Sequence, residues 1–190
     1  MNNSAQFSLP LAAGCGDAQA EAYDEVRRRV LLKVVPNDVS SLAATHLAFE
    51  EGKQVRVVGR IFSALGSPFD PDVASFNLIE LPKPGHNHDD PGDCPFCKRD
   101  MENAATAVIQ IVDKAGNVLK PSADKLLGLS KNQDIVVEGT ATKVGDIIIV
   151  SAEAIHVLSP EHSLDFAKRI HAAPNVARRS ASAHAHSHPT

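Results

Sequence analysis

The sequence lacks tryptophan and has few aromatic residues, with one tyrosine and seven phenylalanines among 190 residues. It contains no apolar run of the roughly 20 residues that a membrane-spanning helix needs. It also has no excess of positive charge, since 19 lysines and arginines face 23 aspartates and glutamates, giving a formal net charge of −4. Phosphate binding depends largely on clustered Lys and Arg, so this balance argues against a nucleic-acid partner.

Cysteine is scarce too, and the first of the three cysteines stands alone near the N-terminus. Cys15 closes the segment LAAGC (11–15), which resembles the lipobox of bacterial lipoproteins, where the cysteine is acylated and becomes the mature N-terminus. A signal peptide has a basic region followed by about 7–15 apolar residues. Residues 1–13 contain no Lys or Arg, and Pro10 interrupts their apolar run. Two interpretations therefore remain open: a lipidated protein whose true start lies upstream, or a free thiol in a flexible N-terminus.

These interpretations imply different locations for the protein. Acylation of Cys15 would anchor an exported protein to a membrane, in the periplasm of a bacterium. A free thiol at Cys15 would suit a cytoplasmic protein equally well. The sequence names no protein partner in either case.

The central part of the chain predicts strands, and helices are predicted on either side of it. Helical spacing of apolar residues occurs over 20–33. A second helix is predicted to begin at a cap on Asn37 or Asp38 and to run to about residue 51, before Gly52. A short helix is predicted over 121–129, and Ser159-Pro160 predicts the start of a C-terminal helix.

The five predicted strands and the short helix occur in the order strand, strand, strand, helix, strand, strand. This is the order of the OB-fold, a small Greek-key barrel. Gly59 and Gly139 lie inside the first and fourth of these strands, where a barrel needs bends. We therefore predict a mainly β protein: a five-stranded OB-fold Greek-key barrel with N-terminal helices, a short helix between strands 3 and 4, and a C-terminal helix.

The predicted organisation has five parts. They are a signal-like or flexible N-terminus (1–18), an N-terminal helical segment (19–52), the barrel (53–158) with an inserted loop (84–100), a C-terminal helix (159–173) and a disordered, histidine-rich tail (174–190).

The strand sequences carry a family resemblance. The segments VRVVGRIF, SFNLIEL, ATAVIQIVDKAGNVL and DIVVEGTATKVGDIIIVSAEAIHVL, which together span 55–158, resemble bacterial OB-fold proteins with a barrel like that of tRNA-anticodon-binding domains. They are most similar to exported OB-fold lipoproteins of unknown function, in which a cysteine-bearing loop separates the second and third strands. The resemblance implies a fold and an exported location, but no activity. The present loop adds two histidines, so a cysteine-only arrangement does not transfer to it.

The inserted loop, PGHNHDDPGDCPFCKRD (84–100), concentrates residues that bind metals. Zinc prefers four ligands drawn from imidazole nitrogen and thiolate sulfur, and copper accepts the same donors. In Cys-x-x-Cys one turn brings two thiolates to one ion, and in an extended His-x-His both rings point to one side. A polar loop would also gain ordering energy from a bound ion. The candidate ligands are His86, His88, Cys94 and Cys97.

Three interpretations of this loop compete. The first is a structural or binding site for zinc or copper. The second is a disulfide between Cys94 and Cys97, either structural or redox-active, which an oxidising compartment would favour. The third is a solvated loop with incidental histidines.

A second candidate surface lies on the first predicted strand of the barrel. Arg56, Val58, Arg60 and Phe62 alternate onto one face of it, and OB-folds bind single strands through aromatic residues beside a basic groove. Two arginines and one aromatic residue do not make a stacking platform, and two charges on a solvated face are the favoured explanation. Arg56, Arg60 and Phe62 are the candidate nucleic-acid contacts.

No nucleophile motif, phosphate-binding loop or pair of catalytic carboxylates occurs in the sequence, so no catalytic residue is predicted. The function expected first is that of a non-enzymatic, exported OB-fold protein with a metal-binding loop. The alternatives are an OB-fold module that binds single-stranded nucleic acid or oligosaccharide, and a thiol redox protein.

Overall fold

The computed structural model describes residues 15–84 and 103–172, and for residues 15–18 only the backbone. The described helices are α1 (Cys15–Val30), α2 (Leu42–Leu47), α3 (Ala123–Leu127) and α4 (Pro160–Ala172). The described strands are β1 (Ser40–Ser41), β2 (Gln54–Ile61), β3 (Ser75–Ile79), β4 (Thr106–Ile111), β5 (Asp134–Val144) and β6 (Ile147–Val157). Among these helices, none combines the length and the apolar character needed to cross a membrane.

Five strands form a closed ring of pairings in the order β2, β3, β4, β6, β5 and back to β2. Within the ring, β4 and β6 are parallel and the other pairs are antiparallel. The predicted mainly β architecture is confirmed, with α3 between β4 and β5 and α4 after β6. The structure adds β1, a two-residue strand that pairs in parallel with Val57 and Val58 of β2 and that the sequence did not predict.

The two strand glycines lie where neighbouring backbones approach most closely. The register between β5 and β6 shifts between Glu138 and Gly139, as expected of a β-bulge. A Cβ on Gly139 would overlap the carbonyl oxygen of Ser151, and a Cβ on Gly59 would lie 2.5 Å from the carbonyl oxygen of Ile79. Only glycine fits at these two positions, and a bend at Gly59 stays a prediction.

Apolar residues are buried on both sides of β2 and β5. The main cluster fills the interior of the ring and includes Val57 and Val137. A second cluster lies outside the ring, where Phe166 and Ala167 of α4 cover Val58 and Val136. Two-sided burial explains why these strands carry consecutive apolar residues instead of a strict alternation.

Two helical details differ from the sequence prediction. The second helix begins at Leu42, and not after a cap at Asn37 or Asp38. Its cap is Ser41, whose Oγ accepts a hydrogen bond from the backbone N–H of Ala44. It ends at Leu47, before the predicted limit near residue 51. Residues 40–41 are extended and pair with β2, so a helix that began at residue 37 or 38 could not continue through them.

Candidate functional site

The inserted loop begins and ends at adjacent, paired residues of β3 and β4, which we call the closed stem. Ile79 at the end of β3 is paired with Thr106 at the start of β4, and the N–H of Glu80 donates to the carbonyl of Ala105 at 2.9 Å. The loop's two ends are therefore held side by side. The predicted ligands His86, His88, Cys94 and Cys97 lie outside the described residues.

Two histidines from different helices hold this stem. Nε2 of His46, in α2, donates to the carbonyl of Thr106 at 2.7 Å. Nε2 of His171, in α4, donates to the carbonyl of Leu81 at 2.9 Å. The chain is thus tied to a neighbouring helix on each side of the loop.

A half-buried carboxylate also contributes to the stem. Glu80 Oε2 accepts the backbone N–H of Ala43 at 2.8 Å, while its Oε1 is buried without a hydrogen-bond partner in the described part of the chain. Burial raises the pKa of Glu80 above its usual value, against the opposing effects of the Ala43 N–H and the nearby His171. Within residues 15–84 and 103–172, no three His, Cys, Asp or Glu side chains are grouped so as to hold a metal ion.

Cys15 is the first residue of α1, and its side chain lies outside the described part of the structure. Its lipidation stays a prediction.

The structure pairs Arg56 with two carboxylates. Its Nε donates to Oε2 of Glu138 at 2.6 Å, and its Nη1 donates to both oxygens of Asp38 at 2.7 Å. The other oxygen of Glu138, Oε1, lies 2.7 Å from Nε2 of His156. Burial acts to raise the pKa of Glu138, but the hydrogen bonds and charges of Arg56 and His156 outweigh it and lower that pKa below its usual value.

Arg60 and Phe62 are engaged as well. Arg60 forms a two-pronged ion pair with Asp134, at 2.7 and 3.0 Å, and the Asp134 side chain is only 9% exposed. Phe62 is 4% exposed, with Nζ of Lys131 lying 5.2 Å from the centre of its ring. The expected common face of Arg56 and Arg60 is present, but both arginines are neutralised by carboxylates that the sequence pattern did not identify.

A further surface was missed by the sequence analysis. The outward side chains of β3, β4 and the adjoining halves of β5 and β6 include no charged residue. Cross-strand pairing places them in rows. We call this surface the neutral face, and it comprises Ser75, Asn77, Ile79, Thr106, Val108, Gln110, Thr140, Thr142, Val144, Ile147, Ile149 and Ser151.

Ser75 and Ile79 of the neutral face are buried, and its other residues are half-buried or exposed. The side chains of Asn77, Gln110, Thr142 and Ser151 make no hydrogen bond within the described part of the chain. Val144 and Ile147 at its edge are 65% and 51% exposed.

No protein-family model matches the chain, and no curated protein matches it in sequence. Solved structures show distant similarity. One is an aspartyl-tRNA synthetase from Leishmania major, at 10% identity and a TM-score of 0.42, covering 75% of this chain and 26% of that one. This chain thus spans about a quarter of the synthetase.

Two other solved structures are distantly similar. One is the OBody AM1L10 bound to hen egg-white lysozyme, at 15% identity and a TM-score of 0.39, covering 67% of this chain and 99% of that one. The other is the Stn1-Ten1 complex of S. pombe, at 15% identity and a TM-score of 0.36, covering 67% and 76%.

Proposed function

We propose that the chain is a non-enzymatic OB-fold protein whose β3–β4 loop binds zinc, or copper in its place, through His86, His88, Cys94 and Cys97. The closed ring with a helix between its third and fourth strands supports the OB-fold part of the proposal. The bulge at Gly139 supports it too, because a small barrel needs sharply bent strands.

The observation that carries the metal-binding part is the closed stem. Residues 80 and 105 are hydrogen-bonded, so the chain between them starts and ends at one place. Loop closure is therefore supplied by the strands, and an ion has to order only the residues beyond the stem. Two imidazoles and two thiolates in that short stretch match the donor set of a structural zinc site.

Elemental analysis of the purified protein tests this function. We expect about one equivalent of zinc or copper in the wild type and almost none in a Cys94→Ser/Cys97→Ser variant. Cys15→Ser is the matched control and should keep its metal. Equal, near-zero metal in all three proteins would reject the proposal.

The redox alternative predicts a different chemistry for the same cysteines. A thiol redox protein would show a reversible Cys94–Cys97 disulfide with a potential in the range of cellular thiol couples. Titration with dithiothreitol, read by thiol labelling, separates this from a metal site. A disulfide that resists reduction throughout that range would exclude a redox role.

We also propose an exported location, with Cys15 acylated and the protein attached to a membrane through that lipid. Support comes from the LAAGC pattern. Expression in a bacterium from the gene together with its natural upstream DNA, followed by mass measurement, tests it. A mature protein that begins at Cys15 with an added acyl mass supports anchoring, and an unmodified Cys15 in the cytoplasm rejects it.

Binding of single-stranded nucleic acid through Arg56, Arg60 and Phe62 is the alternative function. Both arginines are paired with carboxylates, and this pairing lowers the positive charge available to a phosphate. Binding would therefore require both arginines to leave their carboxylate partners. Arg56→Ala/Arg60→Ala should abolish salt-sensitive binding of an oligonucleotide if this function is real. Absence of binding at low salt in the wild type would exclude it.

A further inference from the structure

A groove lies outside the ring, between α4 and the segment that joins α1 to β1. Its volume is about 510 Å³, which is within the range of small-ligand sites in proteins. We call it the α4 groove, and it involves neither the inserted loop nor the arginines of β2. The residues that line it are Val35, Asn37, His162, Asp165, Phe166, Lys168 and Arg169.

Packing holds the two walls of the α4 groove in place. Phe166 of α4 is buried in the cluster outside the ring, and Val35 of the opposite wall packs against the same cluster. Nη1 of Arg169 lies 3.5 Å from the carbonyl oxygen of Asn37, and this contact joins α4 to the opposite wall. The groove is therefore a formed feature of the fold, with both walls anchored on the ring.

Two cations of the groove are not neutralised by a carboxylate. Lys168 and Arg169 form no ion pair within the described part of the chain, whereas Arg56 and Arg60 are both paired. The guanidinium carbon of Arg169 lies 4.3 Å from the centre of the Phe166 ring, an arrangement that restricts the guanidinium to one orientation. Nε and Nη2 of Arg169 make no hydrogen bond to any described residue, so they are available to an anion.

His162 supplies a further donor. Its Nδ1 lies 2.9 Å from Oγ of Ser159, and that Oγ also accepts the backbone N–H of His162 at 3.4 Å. When the Ser159 hydroxyl donates to Nδ1, the proton of the neutral ring is on Nε2, and the protonated ring carries a proton there as well. Nε2 has no partner among the described residues, so it is a free donor in both charge states.

Charge and lining together indicate the kind of ligand. Lys168 and Arg169 against Asp165 give the groove a formal surplus of one positive charge when His162 is neutral. A monoanion balances this surplus, and a carboxylate matches the parallel N–H donors at the edge of a guanidinium. The apolar part of the lining favours a ligand with a hydrocarbon body over an inorganic anion. We propose that the α4 groove binds a small organic monocarboxylate through Arg169, Lys168 and His162.

The test is an NMR titration of the isotope-labelled full chain with hexanoate and with benzoate, each compared with its neutral amide. We expect at least one carboxylate to bind at millimolar concentration and to shift the amide signals of the groove, and its amide to bind about tenfold more weakly. Arg169→Gln should weaken carboxylate binding about tenfold or more, because a charged donor is lost. Arg28→Gln is the matched control, since Arg28 is an arginine of α1 that also forms no ion pair in the described part of the chain, and it should leave affinity unchanged.

Lys168→Gln is a second variant at an exposed position of α4, and circular dichroism would verify that both α4 variants fold. We expect it to weaken carboxylate binding several-fold. We expect EDTA to leave wild-type binding intact, because the groove is independent of metal binding by the loop. Absence of binding by both carboxylates at tens of millimolar would overturn the proposal. So would equal binding of a carboxylate and its amide, a preference for inorganic phosphate, or an affinity that Arg28→Gln lowers as much as Arg169→Gln does.

Discussion

Glu138 Oε1 lies 2.7 Å from Nε2 of His156, a side chain that is only 3% exposed, while Oε2 of the same carboxylate accepts from Arg56 at 2.6 Å. One carboxylate thus joins a buried imidazole to a guanidinium at the surface. Nδ1 of His156 is buried and has no hydrogen-bond partner in the described part of the chain. Glu138 therefore supplies the one hydrogen bond that the ring makes within the described part of the chain.

Replacing Glu138 with Gln should destabilise the protein by about 1–3 kcal/mol at pH 7. The NH2 group of the glutamine side chain would replace one carboxylate oxygen and would then face the N–H donor of either Arg56 or His156. The pKa of Glu138 is lowered in the fold, so its ionisation stabilises the wild type above the usual glutamate pKa of about 4.3, and that contribution is lost as the pH falls through the lowered value. The difference between the two proteins should therefore shrink in acid. Urea unfolding followed by circular dichroism between pH 3 and 7 would measure it, and a constant difference would contradict the expectation.

Glu80 should show the opposite pH dependence. Burial raises its pKa, so its contribution to stability is fully present below about pH 4.3 and is lost as the pH rises through the raised value. Glu80→Gln keeps an acceptor for the Ala43 N–H and removes the charge. We expect the variant to melt at a higher temperature than the wild type at pH 7, with the gap closing towards pH 4.

Glu51→Gln, a change at an exposed glutamate away from the stem, is the control for Glu80 and should leave the pH dependence of melting unaltered. A Glu80→Gln variant less stable than the wild type at pH 7 would show that the ionised carboxylate is needed to hold the stem.

The ion pair of Arg60 and Asp134 should contribute more than that of Arg56 and Asp38. The Arg60 and Asp134 side chains are 21% and 9% exposed, whereas those of Arg56 and Asp38 are 43% and 78% exposed. Removing Arg60 leaves a nearly buried carboxylate without its partner, so Arg60→Ala should cost about 2 kcal/mol.

A double-mutant cycle measures the coupling of each pair. We expect the Arg60–Asp134 coupling to persist in 0.5 M salt and the Arg56–Asp38 coupling, at most about 0.5 kcal/mol, to disappear there. Equal couplings for the two pairs would contradict the argument from burial.

Gly139→Ala should be the most damaging single methyl addition in β5. The new Cβ would overlap the Ser151 carbonyl oxygen and lie 3.0 Å from Cα of Ala152, and neither backbone atom can move without breaking the β5–β6 pairing. We expect a loss of more than about 3 kcal/mol in unfolding free energy. Gly52→Ala, where φ is 72° but space is open, is the control and should cost only about 1 kcal/mol. Circular dichroism is the suitable probe because the chain has no tryptophan.

The sequence predicts most strands and the short helices because these depend on local patterns. Ser159-Pro160 places the start of α4, and Ser122 occupies the N-cap position of α3, although its side chain makes no capping hydrogen bond. In contrast, β1 has only two residues and exists through its pairing with Val57 and Val58, a long-range contact that leaves no periodicity in the chain. The first residue of α2 was likewise not predictable from local pattern, because the pairing of β1 with β2 determines where the helix begins.

The candidate sites were harder to predict, because their chemistry depends on partners far away in sequence. Arg56 meets Glu138, 82 positions further on, and Arg60 meets Asp134, 74 positions further on. A basic face in the sequence is therefore a set of ion pairs in the structure. The neutral face is the reverse case, since it becomes visible only when four separate segments are placed side by side.

The closed stem at Ile79 and Thr106 separates two parts of the chain that can vary independently. Strand pairing and the bonds from His46 and His171 hold the ring of strands together on both sides of the loop. We therefore expect that the intervening segment can be shortened, lengthened or exchanged without altering the strand register. The position is thus suited to grafting, because a foreign binding loop could be displayed there on an unchanged ring of strands.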